Sequence, residues 1–211
     1  MNAIQYQRLL DRKLESLNVT TPHLLLHSCC APCSSYVLEY LSKYFKITVF
    51  YFNPNISPLS EYQCRVQEQK RLIEEMPHEN PVHFIEGSYH PEEFFAAVKG
   101  MEHLREGGAR CRICFEMRLK EAARIAKEIG ADYFTTTLTV GSKKDAAVLN
   151  GLGQQMEKET GIPYLLSDFK KRNGYNRSIE LSEIYGLYRQ NYCGCIFSKR
   201  DSEIRSSGSS Q

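Results

Sequence analysis

His23-Leu24-Leu25-Leu26-His27-Ser28-Cys29-Cys30-Ala31-Pro32-Cys33 runs a short apolar stretch directly into three thiols. Three consecutive leucines without polar alternation read as a strand buried on both faces, as in parallel sheets. Helical spacing follows: Ser34 or Ser35 is placed to cap a helix carrying Val37, Leu38, Leu41 and Tyr44. Strand, cysteines and helix form one β–α unit, with the thiols at the carboxyl end of its strand. Open α/β sheets bind their ligands at that end.

The alternation extends outward from this unit. Ile4, Leu10, Leu14 and Leu17 lie at helical spacing and predict a helical extension over residues 1–22. Downstream, Ile47 to Phe52 is a β-rich run closed by Asn53-Pro54-Asn55, residues 61–76 read as helix, Val82 to Ile85 as a third strand and Pro91 to Val98 as a short helix. Gly107-Gly108 breaks the chain. Leu119, Ala122, Ala123, Ala126 and Ile129 then make the apolar stripe of a helix stopping at Gly130. Tyr133 to Thr137 is a fourth strand, a helix over 145–160 ends at Gly161, and Tyr164 to Leu166 is a fifth strand. This order predicts an α/β fold, a doubly wound and mostly parallel sheet in one domain over residues 23–198. A flexible tail is expected over 199–211, rich in serine at its end.

With 211 residues, 42% of them hydrophobic, the chain can bury one substantial core. It has no apolar run near 18 residues, so no transmembrane helix is expected. Met1 to Asp11 lacks the apolar core of a signal peptide. A cytoplasmic protein is the expectation, and thiols there stay reduced, which favours metal or redox chemistry over a disulfide framework. The net charge of +2 decides little; local basic clusters matter more.

Seven of the eight cysteines fall into three groups about 80 residues apart: Cys29-Cys30-x-x-Cys33, Cys111-x-x-Cys114 and Cys193-Gly194-Cys195. Only folding can bring them together. Four thiolates fill a structural zinc site or hold a four-iron cluster, so the surplus points to a cluster with something beside it. Spacing alone leaves zinc and iron–sulfur both open. Cys111 and Cys114 open a helix, whose N-terminus favours thiolates. Glycine between Cys193 and Cys195 permits a tight backbone. Cys64 stands apart in a polar helix as a free thiol. His27 suits a supporting role beside the cysteines better than ligation, and His23, His78, His83, His90 and His103 are scattered.

Asp168-Phe-Lys170-Lys171-Arg172-Asn-Gly-Tyr175-Asn-Arg177 concentrates basic and aromatic residues. It reads equally as a solvated loop and as a phosphate-contacting segment, which Lys143-Lys144 would extend. Tyr188-Arg189-Gln190-Asn191-Tyr192 leads into the last cysteines. Thr135 to Thr139, Asn53, Asn55, Glu61 and Tyr62 lie near strand ends on the same rim. No G-x-G-x-x-G and no G-K-[ST] is present, so nothing supports nucleotide-driven chemistry.

Taken in order, His27-Ser-Cys-Cys-Ala-Pro-Cys33, Tyr51-Phe-Asn-Pro-Asn-Ile56 with Glu61-Tyr62, Arg110-Cys-Arg-Ile-Cys-Phe115 with Arg118, Phe134-Thr-Thr-Thr-Leu138, Asp168-Phe-Lys-Lys171 and Tyr188 to Cys195 resemble the signature blocks of the QueH-type epoxyqueuosine reductases. The resemblance covers residues 23 to 198. It implies reduction of epoxyqueuosine to queuosine at the tRNA wobble position, the final step of queuosine biosynthesis. It also implies a Rossmann-like fold similar to the adenine nucleotide α-hydrolases, a [4Fe–4S] cluster, one adjacent mononuclear iron and no cobalamin. The partners would be tRNA bearing epoxyqueuosine in the anticodon and an external electron donor. The preferred assignment on this chain puts Cys30, Cys111, Cys114 and Cys195 on the cluster and Cys29, Cys33 and Cys193 on the single iron, with the partition within each pair left open. Cys33 and Asp168 would act in catalysis, and Lys170, Lys171, Arg172 and Arg177 on tRNA phosphates. Some family members carry Asp in place of Cys33, which suits a ligand of the single metal. A zinc-stabilised RNA-binding module, a tRNA-thiolating enzyme on the same fold and a thiol–disulfide oxidoreductase stand as alternatives, although His-Ser-Cys-Cys occupies the place of the thiolating enzymes' Ser-Gly-Gly loop.

Overall fold

A computed structural model describes residues 5–17 and 21–208, with side chains placed as far as Ile204. Ile4 and Ser209 to Gln211, which figure in the expected first helix and tail, lie outside the described residues. Four strands, β1 (His23–His27), β2 (Lys46–Tyr51), β3 (Val82–Glu86) and β4 (Tyr133–Thr136), form one sheet in the order β3-β2-β1-β4. All pairings are parallel. β1 sets His23 opposite Lys46 and His27 opposite Phe50 on one side, and Leu24 opposite Tyr133 and His27 opposite Thr136 on the other.

The leucine run explains why β1 is central. Leu24 and Leu26 point into a layer with α1 (Tyr6–Glu15), α2 (Ala31–Leu41) and α3 (Leu59–Glu75), alongside Ile47 and Val49. Leu25 points the other way, with Phe50 and Phe134, against α5 (Ala109–Glu128) and α6 (Ala146–Thr160). All three leucines are fully buried, and each such burial stabilises by roughly 1.5–3 kcal/mol. Helices on both faces give the doubly wound α/β architecture. The remaining helices are α4 (Pro91–Ala97), α7 (Gly174–Ile184), which packs on α2, and α8 (Ile196–Gly208). Strand order reverses between β1 and β4, so the crevice at their carboxyl ends is the topological switch point. No helix among the described residues is long and apolar enough to cross a membrane.

Several expectations change. α2 begins at Ala31, not after Ser34 or Ser35: Pro32 starts the helix, and both serine hydroxyls turn back to the carbonyls of Cys30 and Pro32. The fifth strand reduces to a single bridge between Phe134 and Tyr164, because Pro163 lacks the N–H to extend the ladder and the chain turns away. Residues 168–177 are not all loop. Arg172 and Asn173 adopt left-handed backbone (φ 50° and 64°), and α7 then starts at Gly174, where any Cβ would sit 2.0 Å from the Phe169 carbonyl oxygen. The expected tail carries α8 through Gly208. The N-terminal helix is no appendage, since Leu10 and Leu14 are buried in the same core as Leu24 and Leu26.

Candidate metal centre

β1 delivers Cys29 and Cys30 to the switch point, and α2 carries Cys33 one turn on. The strand end is tightly fixed. The buried His27 ring donates from Nε2 to the Phe52 carbonyl (3.1 Å), so its Nδ1 accepts from the Thr136 hydroxyl (2.8 Å). Burial keeps this imidazole neutral, with its pKa lowered to about 3. Both nitrogens are occupied, so His27 orients β1 and ligates nothing. Ser28 joins Ser34 and Gln69 in a buried hydroxyl–amide network.

The thiol-bearing atoms of Cys29, Cys30 and Cys33 lie within 4.8 Å of one another. Cys29 is the anionic member. Hydrogen bonds from Cys30 and Cys33, and from the Thr137 hydroxyl (3.3 Å), hold it well below the usual thiol range. The Cys29 N–H returns a bond to Thr137 Oγ1 (3.1 Å). Donating to Cys29 pushes Cys30 up to about 12 and Cys33 well up too.

The other groups approach from two directions. Cys111 and Cys114 lie in the first two turns of α5, three residues apart and on one face. The Gly107 N–H donates to Cys111 Sγ (3.2 Å), from a backbone at φ +92° that favours glycine. Cys114 is pushed up to about 12, mainly by burial, with charge on Cys193, Cys195 and Cys111 adding to it. Gly194 has φ +111° and presses against Ile56 and Arg65, while its carbonyl accepts from the Ser57 N–H (3.1 Å). That turn aims Cys193 at the crevice and Cys195 at Ser198 in the first turn of α8.

Three buried arginines and the half-buried Lys144 lie around these sulfurs. Arg118, 1% exposed, donates from Nη1 to Asn53 Oδ1 (3.0 Å), and Asn53 in turn binds the Ser28 carbonyl (2.9 Å). Its Nη2 has no hydrogen-bond partner. Burial opposes its charge, and Cys114, Cys193, Cys29 and Cys111, drawn from all three groups, outweigh that opposition. Lys144 donates to Cys193 Sγ (3.3 Å) and Glu106 (3.1 Å). Burial works against this ammonium as well, but the charges on Cys193 and Glu106 raise its pKa. Arg65 binds Glu61 (2.7 Å) and packs 5.3 Å from the centre of the Tyr192 ring. Arg110 clamps the 102–104 loop through the carbonyls of Glu102 and Leu104 (3.1 and 2.6 Å).

The donor set fits a metal centre. Cys29, Cys30 and Cys33 can hold one metal ion among them. Sulfur-only ligation selects zinc, copper(I) or iron–sulfur over hard cations, and the buried cations offset the negative charge that thiolate ligation brings. A cavity of about 130 Å³ opens onto the site, lined by Cys29, Cys30, Cys33, Cys193, Lys144 and Tyr192 among others.

The anticipated residues divide. Cys29, Cys30, Cys33 and Cys193 line the cavity at the switch point, and buried Cys111 and Cys114 lie within electrostatic reach of Cys193. Cys64 is exposed and free. Asp168 does not line the cavity; it binds Lys170 Nζ (2.5 Å), which also reaches the Lys144 carbonyl (3.4 Å). Arg172 pairs with Asp11, and Arg177 with Glu39 and Glu180. The threonine run serves mainly as buried ties, only Thr137 touching a cysteine. Sequence reasoning missed the charge-offsetting roles of Arg65 and Arg118. A signal existed for Arg118, which continues the buried α5 face Cys111, Cys114, Phe115. A charge in an apolar stripe marks a buried counter-charge.

Most of the chain is similar to proteins already named. A family model described as epoxyqueuosine reductase QueH matches residues 24–201. The Streptococcus pyogenes serotype M1 protein "Epoxyqueuosine reductase QueH" is 42% identical over 201 residues, covering 93% of this chain and 79% of that one. The Staphylococcus epidermidis protein of the same name is 46% identical over 180 residues (83% and 76%), and that of Thermotoga maritima 33% identical over 181 (83% and 89%). A solved phosphoadenylyl-sulfate reductase from Candida auris, in a phosphate complex, superposes with TM-score 0.33 at 15% identity over 78% of this chain and 91% of its own, a likeness too loose to bear on mechanism.

Proposed function

The chain belongs to the epoxyqueuosine reductase QueH family, and from that premise we propose that it reduces epoxyqueuosine in tRNA to queuosine. The reaction takes two electrons and two protons, converts the epoxide to an alkene and releases its oxygen as water. The observation that supports this reading is a cavity at the switch point of the sheet lined by Cys29, Cys30, Cys33 and Cys193, beside a buried Arg118 whose charge is held by Cys114, Cys193, Cys29 and Cys111.

We assign Cys30, Cys111, Cys114 and Cys195 to a [4Fe–4S] cluster and Cys29, Cys33 and Cys193 to an adjacent iron. On this assignment Cys30, grouped within 4.8 Å of Cys29 and Cys33, would make the two ligand sets neighbours. When bound, these groups supply electrons from an external donor and a Lewis acid for the epoxide oxygen. The protein does the rest. Arg118 holds positive charge against cysteines of all three groups, and Asn53 fixes its guanidinium. Lys144 lines the cavity with its ammonium 3.3 Å from Cys193, and is placed to deliver a proton to the departing oxygen. Asp168 positions it indirectly, holding Lys170 against the Lys144 carbonyl. Leu138 and Val140 give the cavity apolar wall.

The test is anaerobic incubation with epoxyqueuosine-containing tRNA and a chemical reductant, followed by digestion to nucleosides and mass analysis. A product nucleoside lighter by one oxygen is expected. Metal-loaded protein that leaves the nucleoside unchanged would contradict the proposal.

A further inference from the structure

The cavity at Cys29–Cys33 does not end at its mouth. It shares Lys144, Tyr175, Arg189 and Tyr192 with an open groove of about 480 Å³. That groove shares Glu106 and Lys143 with a third recess of about 700 Å³, walled by Arg105 and by Arg200 of α8. The three form one trench from the sulfur-lined floor to the protein edge.

The trench carries a cationic surplus. Arg105 and Lys143 are exposed. Arg105 and Arg189 face no carboxylate among the described residues. Lys143 meets Glu106 only at 3.7 Å, and Arg200 meets Asp201 at 3.6 Å. The carboxylates along the way are Glu106 and Asp201. Residues 168–177 differ: Lys170, Arg172 and Arg177 each bind a carboxylate at 2.5–2.6 Å, leaving only Lys171 unengaged. Phosphate contact needs cations whose charge is not already neutralised by the fold. Tyr175 and Tyr192 stand where the trench meets the cavity, and unpaired bases stack on such rings.

We infer that the tRNA backbone flanking the modified nucleotide lies along this trench, on Arg189, Lys143, Arg105 and Arg200, and that the 168–177 segment makes no phosphate contact except through Lys171. The inference rests on the reductase reading above and specifies the footprint of its substrate. A single-stranded anticodon loop suits it, because one base must enter the narrow cavity while its neighbours remain outside.

The test is fluorescence-anisotropy titration of epoxyqueuosine-bearing tRNA with full-length, metal-loaded protein over a series of salt concentrations. Each lost phosphate contact lowers the slope of log affinity against log salt by about 1. Arg105→Ala with Lys143→Ala should weaken binding about tenfold or more at low salt and reduce the slope by about 2, with iron content unchanged. Arg172→Ala with Arg177→Ala should leave the slope as in the wild type. A trench variant with wild-type slope, or a loss confined to the 172/177 variant, overturns the footprint while leaving the reductase reading intact. Failure of metal-loaded wild-type protein to bind tRNA at any salt removes both.

Discussion

Arg118 and Arg124 sit two turns apart on one helix and do opposite work. Arg124, with 58% of its side chain exposed, pairs with Glu121 and Glu128 at 2.8 and 2.7 Å. Such surface pairs contribute about 0–1 kcal/mol, since water solvates both partners nearly as well. Arg118 is buried, bonds to the Asn53 amide oxygen and the Cys114 carbonyl, pairs with no carboxylate and faces sulfur. A charge held there must be compensated locally. Ideal ion-pair geometry therefore says little about function in this molecule; the imperfectly paired buried cation marks the site.

Four substitutions probe that contrast. Arg118→Met should have the largest effect, costing on the order of 3–5 kcal/mol by leaving sulfur charge uncompensated. Denaturant unfolding and iron analysis should show lower stability and lower metal retention, with partial rescue by Arg118→Lys; a fully stable, fully loaded methionine variant would erase the difference from Arg124. Lys144→Met should keep the metal but slow single-turnover reduction about 100-fold or more, within the range for a lost general acid. Gly194→Ala should cost roughly 1–3 kcal/mol for strained backbone at φ +111°, read as a shift in melting temperature and looser retention of iron. Arg124→Ala should change stability by less than about 1 kcal/mol and iron content not at all.

Much of this fold was legible from local pattern. The leucine run of β1, the β-branched β2 and the Asp145 to Gly161 span of α6 each carry signals internal to the element, and the structure places them within a residue or so of expectation. Cys111 and Cys114 at the start of α5 were likewise visible in the glycine break before them. The failures have one physical cause. α7 and α8 have polar sequences and owe their helicity to packing against distant elements, such as α7 on α2. The neutralisation of Arg172 and Arg177 depends on Asp11 and Glu39, more than 130 residues away in the chain. Arg172 looks free in sequence because its acid is distant, and Arg118 looks solvated because two of the four sulfurs it faces, Cys29 and Cys193, come from other elements.

The measurement that tests the central claim most directly is iron and acid-labile sulfide analysis, with a visible spectrum, on anaerobically purified wild-type protein. A brown protein with four or more irons and about four sulfides per chain is the predicted result. A colourless protein that holds only zinc after anaerobic reconstitution would contradict it.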